Sequence, residues 1–208
     1  TNTHTPNVTG FTVTKNWNDA NDQDGVRPAS VTVQLYKTVN GVTSSMGTAY
    51  RETLSANNGD WSYTWSNLAQ YEGGKEVAYS VQEVGDLGSG YTAQVSGGTI
   101  TNSRTTDTTS VTVKKAWGAD TDNSLKQPVV VGLFRGDEQI GVAELNADND
   151  WTYTWTELQK NETKNTSSEA TKAILYTVKE LVDDVQVSSG SAVMNGVHYD
   201  VALTGSGS

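Results

Sequence analysis

The stretch FTVTKNW, residues 11–17, decides how the chain is read. As a β-strand it sends Phe11, Val13, Lys15 and Trp17 to one face, because side chains alternate along an extended backbone. Three of these four belong in a core and the fourth carries an amine. A single such lysine could reflect a slipped register. Residues 111–117, VTVKKAW, repeat the arrangement with Val111, Val113, Lys115 and Trp117. An apolar strand face interrupted twice by lysine at the same place requires a physical reason.

The repeat extends along the chain. VTVQLY (31–36) matches VVVGLF (129–134), NNGDWSYTWSNL (57–68) matches DNDWTYTWTEL (148–158), and VAYSVQE (77–83) matches ILYTVKE (174–180). Each piece is short, β-branched or aromatic at alternate positions, and bounded by Gly, Asn, Asp or Pro. Such pieces are half-buried strands, and about seven per copy with no amphipathic helix predict an all-β chain of two tandem sandwiches. The polar run SRTTDTTS (103–110) reads as the linker, giving a first domain over 8–105 and a second over 106–208. Asn2 stands 13 residues before Lys15, as Asn102 stands 13 before Lys115, so residues 1–7 read as the tail of a preceding repeat.

Composition agrees and narrows the function. The 208 residues carry a net charge of −10, which disfavours nucleic acid and anionic membrane surfaces as partners. No apolar run reaches the ~20 residues of a membrane helix, and no signal peptide is recognisable, so no membrane insertion is expected of this stretch. Cysteine is absent, which suits either the cytosol or an exported protein that holds its domains together without thiols.

Two further polar residues fall on apolar faces. Glu83 shares a face with Val77, Tyr79 and Val81, and Glu180 repeats it with Ile174, Tyr176 and Val178. Asn102 shares a face with Ile100. A partly exposed Lys–Glu pair at a strand end is the plain explanation. Its repetition counts against that, because burying an ion pair costs several kcal/mol per ion. The chemical alternative is amide formation between the Lys15 amine and the Asn102 carboxamide with release of ammonia. Burial would favour a neutral, nucleophilic lysine and a protonated Glu83 able to shuttle protons. The product is an uncharged amide, so the buried charge disappears.

The ordered set VTKNW, RPASVTVQLY, WSYTWSNL, YSVQE and GYTAQVSGGTITN resembles the collagen-adhesin B-type (Cna-B) domain of Gram-positive surface adhesins and pilins, over residues 11–103 and most of 111–205. The resemblance implies two inverse-immunoglobulin-like sandwiches and an extracellular, cell-wall-anchored parent protein. It implies neighbouring Cna-B repeats as partners, and a self-formed isopeptide bond with Lys15 as nucleophile, Asn102 as acceptor and Glu83 as the catalytic acid. In the second domain Lys115 and Glu180 match. The matching asparagine should fall near position 210, so the final strand is expected to be missing, and Asn195 is the one substitute within reach.

The expected role is that of a structural stalk module rather than an enzyme. Two alternatives accompany it: a ligand-binding module gripping a host surface protein or glycan, and a strand acceptor completed in trans by an Asn-bearing peptide. Trp61, Tyr63 and Trp65 share a face that could stack on sugar, although packed aromatic rings are the simpler account. DANDQDG (19–25) lacks a calcium loop's twelfth-position glutamate and reads as a polar turn. With two histidines, His4 and His198, and no glycine-rich phosphate loop, no metal or cofactor is expected.

Overall fold

A computed structural model describes residues 6–57, 60–118, 121–182, 185–187, 190–194 and 197–201, with side chains described as far as Leu181. Two compact units result. One takes the described residues of Thr1–Thr106 together with Thr163–Thr171, and the other those of Asp107–Glu162 and Lys172–Ser208.

In the first unit the strands are β1 (Val8–Asn18), β2 (Ser30–Val39), β3 (Val42–Ser45), β4 (Arg51–Ser55), β5 (Ser62–Ala69), β6 (Tyr71–Glu72), β7 (Lys75–Val84), β8 (Thr92–Ser96) and β9 (Thr99–Ser103). One sheet runs β5-β1-β9-β8 and the other β3-β2-β7-β6, with β4 also beside β2. Val13, Trp65 and Ile100 from the first sheet meet Val31, Val33, Leu35, Leu54 and Val81 from the second in one core. The result is a two-layer sandwich, as alternating strands require. Among the described residues nine strands stand where about seven were expected. The surplus is short, β6 having two residues and β3 four. Segments that brief carry no periodicity to read. The β2–β3 hairpin turns on Asn40 and Gly41, with φ of 49° and 79°, the Asn-Gly turn whose twist suits paired strands.

Strand β1 is the hinge of the fold. It pairs antiparallel with β5 through Val13↔Tyr63 and parallel with β9 through Lys15↔Ile100 and Trp17↔Asn102. A register shift at Gly10 carries it past β5, where a Cβ would stand 3.2 Å from the Trp65 carbonyl oxygen. Gly98 is a stricter requirement. A Cβ there would lie 2.2 Å from the Thr12 carbonyl oxygen, while the Gly98 carbonyl accepts from Thr14 N at 2.9 Å. Gly98→Ala is therefore expected to prise β9 from β1 and cost about 2–3 kcal/mol, read as a lower urea midpoint of the first unit.

The second unit repeats part of the plan. Its strands are β10 (Thr108–Lys114), β11 (Val129–Arg135), β12 (Glu138–Leu145), β13 (Thr152–Gln159), β14 (Tyr176–Val182), β15 (Val185–Val187), β16 (Gly190–Met194) and β17 (Val197–Val201). β10 pairs β13, the second sheet runs β12-β11-β14-β15, and β16 pairs β17. No described strand stands beside β10 in the place that β9 takes beside β1. The core gathers Val111, Val129, Val131, Leu133, Leu145, Trp155, Ile174 and Tyr176. The register shift of β1 recurs in β10 between Thr109 and Val111.

Candidate functional site

Parity along β1 is kept: Val13 and Lys15 are buried, whereas Thr12 and Asn16 face outward. The lysine is 3% exposed and Asn102 0%. The Glu83 side chain is likewise 3% exposed. Lys15 and Asn102 come from adjacent parallel strands of one sheet. Glu83 comes from β7 in the facing sheet, opposite Val33 of β2. The three therefore meet between the layers.

Asn102 Nδ2 donates to Glu83 Oε1 at 3.1 Å, and Lys15 Nζ stands 3.8 Å from Glu83 Oε2. The amine donates to the Asn16 carbonyl at 2.9 Å and lies 3.9 Å from the centre of the Trp17 ring. Glu83 Oε2 and Asn102 Oδ1 are buried and accept no hydrogen bond. A proton on the Glu83 carboxyl would supply the donor both oxygens lack. Burial shifts both groups toward that state. Burial brings the Lys15 amine from 10.5 down to about 8, against the opposing pull of the Glu83 and Asp19 carboxylates and with a further push from the Arg27 cation. Burial also raises the Glu83 carboxyl, although the Asn102 hydrogen bond and Lys15 pull it back. Moving the proton between such a pair leaves a neutral amine beside a neutral acid, the protonation that acyl transfer to an amine needs.

Trp17 closes this site. Its ring meets Trp61 and Tyr91 edge-on, each with centroids 5.2 Å apart. A group that the strand periodicities did not supply lies just beyond it. Asp19 accepts from the Arg27 guanidinium and from Tyr91 OH. The available signal was parity, since Asp19 continues the series of Phe11, Val13, Lys15 and Trp17 past the end of the strand. The turn DANDQDG is thus a buried polar cluster at its first residue, with Asp19 6% exposed.

In the second unit Lys115 Nζ bonds Glu180 Oε2 directly at 2.9 Å, and Trp117 meets Trp151 edge-on as Trp17 meets Trp61. Asn195 and the expected final strand lie outside the described residues. The face of Trp61, Tyr63 and Trp65 is not a continuous exposed strip. Trp65 is buried in the core, Trp61 is half-buried, and Tyr63 is exposed. Among the described residues, no cluster of three or more His, Cys, Asp or Glu side chains could hold a metal ion. No described helix is long and apolar enough to cross a membrane.

Two tandem β-sandwiches, each with a lysine and a glutamate facing one another between its sheets, define a class of repeated structural domain. The chain belongs to the Cna protein B-type domain family, whose model matches residues 11–103 and 111–198. It is 33% identical over 187 residues to a collagen adhesin of Staphylococcus aureus, covering 86% of this chain and 14% of that protein. Among solved structures it resembles two B repeat units (B1B2) of the collagen binding protein of S. aureus. The TM-score is 0.63 and the identity 29%, over 94% of this chain and 50% of that one. The chain thus spans a small part of the curated adhesin it matches.

Proposed function

We propose that the chain supplies stalk modules of an extracellular, wall-anchored adhesin or pilus, and that the first module ties itself shut with an isopeptide bond between Lys15 and Asn102. The observation that carries this reading is the buried contact of one carboxyl with both the amine and the carboxamide. The neutral Lys15 amine attacks Asn102 Cγ, forming the new C–N bond. Glu83 gives its proton to the carboxamide nitrogen and takes one from the attacking amine. The Cγ–Nδ2 bond breaks, ammonia leaves, and a neutral amide remains in the core. No oxidant, metal or cofactor enters the balance. The domains around the module in the parent chain are its expected partners. A host protein as ligand is attached by name to the adhesin relative, not to these residues.

Lys15 and Asn102 lie near opposite ends of the module's sequence. Tension entering along β1 would cross the amide to β9 and bypass the chain between them, a mechanical role for a protein without cysteine. Intact mass tests the bond: the folded chain should weigh about 17 Da less than its sequence, the ammonia released in this condensation, and digestion should join the peptides bearing Lys15 and Asn102. Full sequence mass, with the two peptides separate, would end the proposal.

A pH signature accompanies it. An Asn102→Ala chain cannot close the amide and keeps a titratable Lys15. With the folded amine at about 8 and the ordinary value 10.5, the unfolded chain binds more protons between those limits. Stability must then rise with pH across that window and be flat in this respect below it. Urea midpoints at pH 7.5 and 10 are expected to diverge for Asn102→Ala relative to the parent chain, whose Lys15 no longer titrates. An identical pH response in the two chains would contradict it.

A further inference from the structure

Asp19, Arg27 and Tyr91 form a cluster that the amide chemistry as written does not use. Asp19 Oδ2 accepts from Arg27 Nε at 2.8 Å and from Tyr91 OH at 2.7 Å, while Oδ1 accepts from Arg27 Nη2 and from Asp22 N at 3.1 Å. Four donors on one buried carboxylate make a built structure rather than a solvated turn. The backbone also accepts strain to make it. Ala20, Asn21 and Asp22 are consecutive non-glycine residues in the left-handed region, with φ of 51°, 58° and 57°. That reversal lets Asp22 Oδ1 accept from Arg27 N at 2.8 Å and returns the arginine to Asp19.

The cluster abuts the reaction site through one ring. The Arg27 guanidinium lies 5.3 Å from the centre of Trp17 and the Lys15 amine 3.9 Å from it, while Tyr91 packs on the edge of the same indole. We infer that Asp19, Arg27 and Tyr91 are positioning residues for the Lys15–Asn102 reaction, with Tyr91 and Arg27 fixing Trp17 over the amine and Arg27 cancelling the field of Asp19 at Lys15. The inference rests on the isopeptide reading. Asp19 by itself would push the Lys15 amine upward, toward its protonated form, whereas a paired Arg27 opposes that push. The other charged groups around are Glu83 on β7, which faces Lys15, and Asp22, which faces Arg27 and has Lys164 3.7 Å away.

The repeat offers an internal comparison. Residues 15–28 align without a gap on 115–128, retaining the lysine, the tryptophan and the proline at Lys115, Trp117 and Pro128. Asp19 becomes Ala119 and Arg27 becomes Gln127. The two charges are present together or absent together, as a mutually cancelling pair should be.

The test uses the full chain with Glu83→Gln, in which Lys15 stays a free amine whose titration can be followed by NMR of its labelled ε-carbon. In that background Arg27→Gln should raise the Lys15 pKa by about one unit, and Asp19→Ala with Arg27→Gln should bring it back. Arg27→Lys should rescue it as well. In chains that keep Glu83, made by cell-free synthesis and weighed over time at pH 7, Arg27→Gln should slow ammonia loss about tenfold, with the rate recovered at higher pH or in the double variant. Equal Lys15 titration in the Glu83→Gln chain with and without the Arg27 and Asp19 substitutions overturns the inference. So does a double variant that fails to fold, because the pair would then hold the module together rather than set the amine. Absence of ammonia loss from the parent chain is a different result: it removes the isopeptide reading while the NMR series still decides the charge cancellation.

Discussion

Lys15→Met should abolish the mass loss and lower the stability of the first unit by about 4–5 kcal/mol, the loop-closure entropy expected for a cross-link between residues this far apart. At about 4–8 °C per kcal/mol for a domain of this size, the melting temperature should fall by roughly 15–40 °C. Methionine is the informative substitution because it fills the lysine's aliphatic space beside Trp17 without burying an amine. Glu83 lies in the same apolar surroundings in both chains, so the cost of holding its proton cancels between them. The amide of the parent chain carries no charge at Lys15, so no buried charge is lost on substitution and the fall isolates the covalent tie. A first unit that melts unchanged would show that Lys15 bears no cross-link.

Glu83→Gln should be the next largest effect, and it separates chemistry from packing. Glutamine preserves the shape and can still accept from Asn102 Nδ2, but it cannot carry a proton from one nitrogen to the other. Loss of a positioned acid–base group costs about 10²–10⁴ in rate, so purified protein should retain its full sequence mass after days at neutral pH. It should also be folded, with the spectroscopic signature of a sandwich and with lowered stability similar to that of Lys15→Met. Glu83→Ala should show the same mass and a further loss from the cavity it leaves. If either variant still releases ammonia, the proton shuttle is not Glu83.

Much of this site is legible from strand parity. Lys15, Glu83 and Asn102 each share a face with apolar neighbours, and burial of Val13, Val81 and Ile100 fixes those faces toward the core. Parity is a property of one strand, however. It does not say that β1 and β9 are parallel neighbours or that Glu83 approaches from the opposite sheet, since both depend on pairings between distant residues. The Asp19 cluster was hidden for a related reason. Its partners lie 8 and 72 residues away, and its backbone leaves the extended region at Ala20, where alternation stops predicting direction. The aromatic face of β5 shows the converse limit. Tyr63 and Trp65 share parity and a strand yet differ in exposure, because burial depends on what the facing sheet brings against each ring, which alternation does not encode.

The neighbouring of β1 and β9 also has a consequence for timing. These are the first and last strands of the first unit, so their contact closes nearly the whole length of its chain and belongs among the late events of folding. An amide between them would be laid down only on molecules that have completed every earlier step. Partly assembled chains would stay unmarked and reversible, while finished ones would be sealed. The bond would then serve as a permanent record of successful assembly, written once by each molecule upon itself.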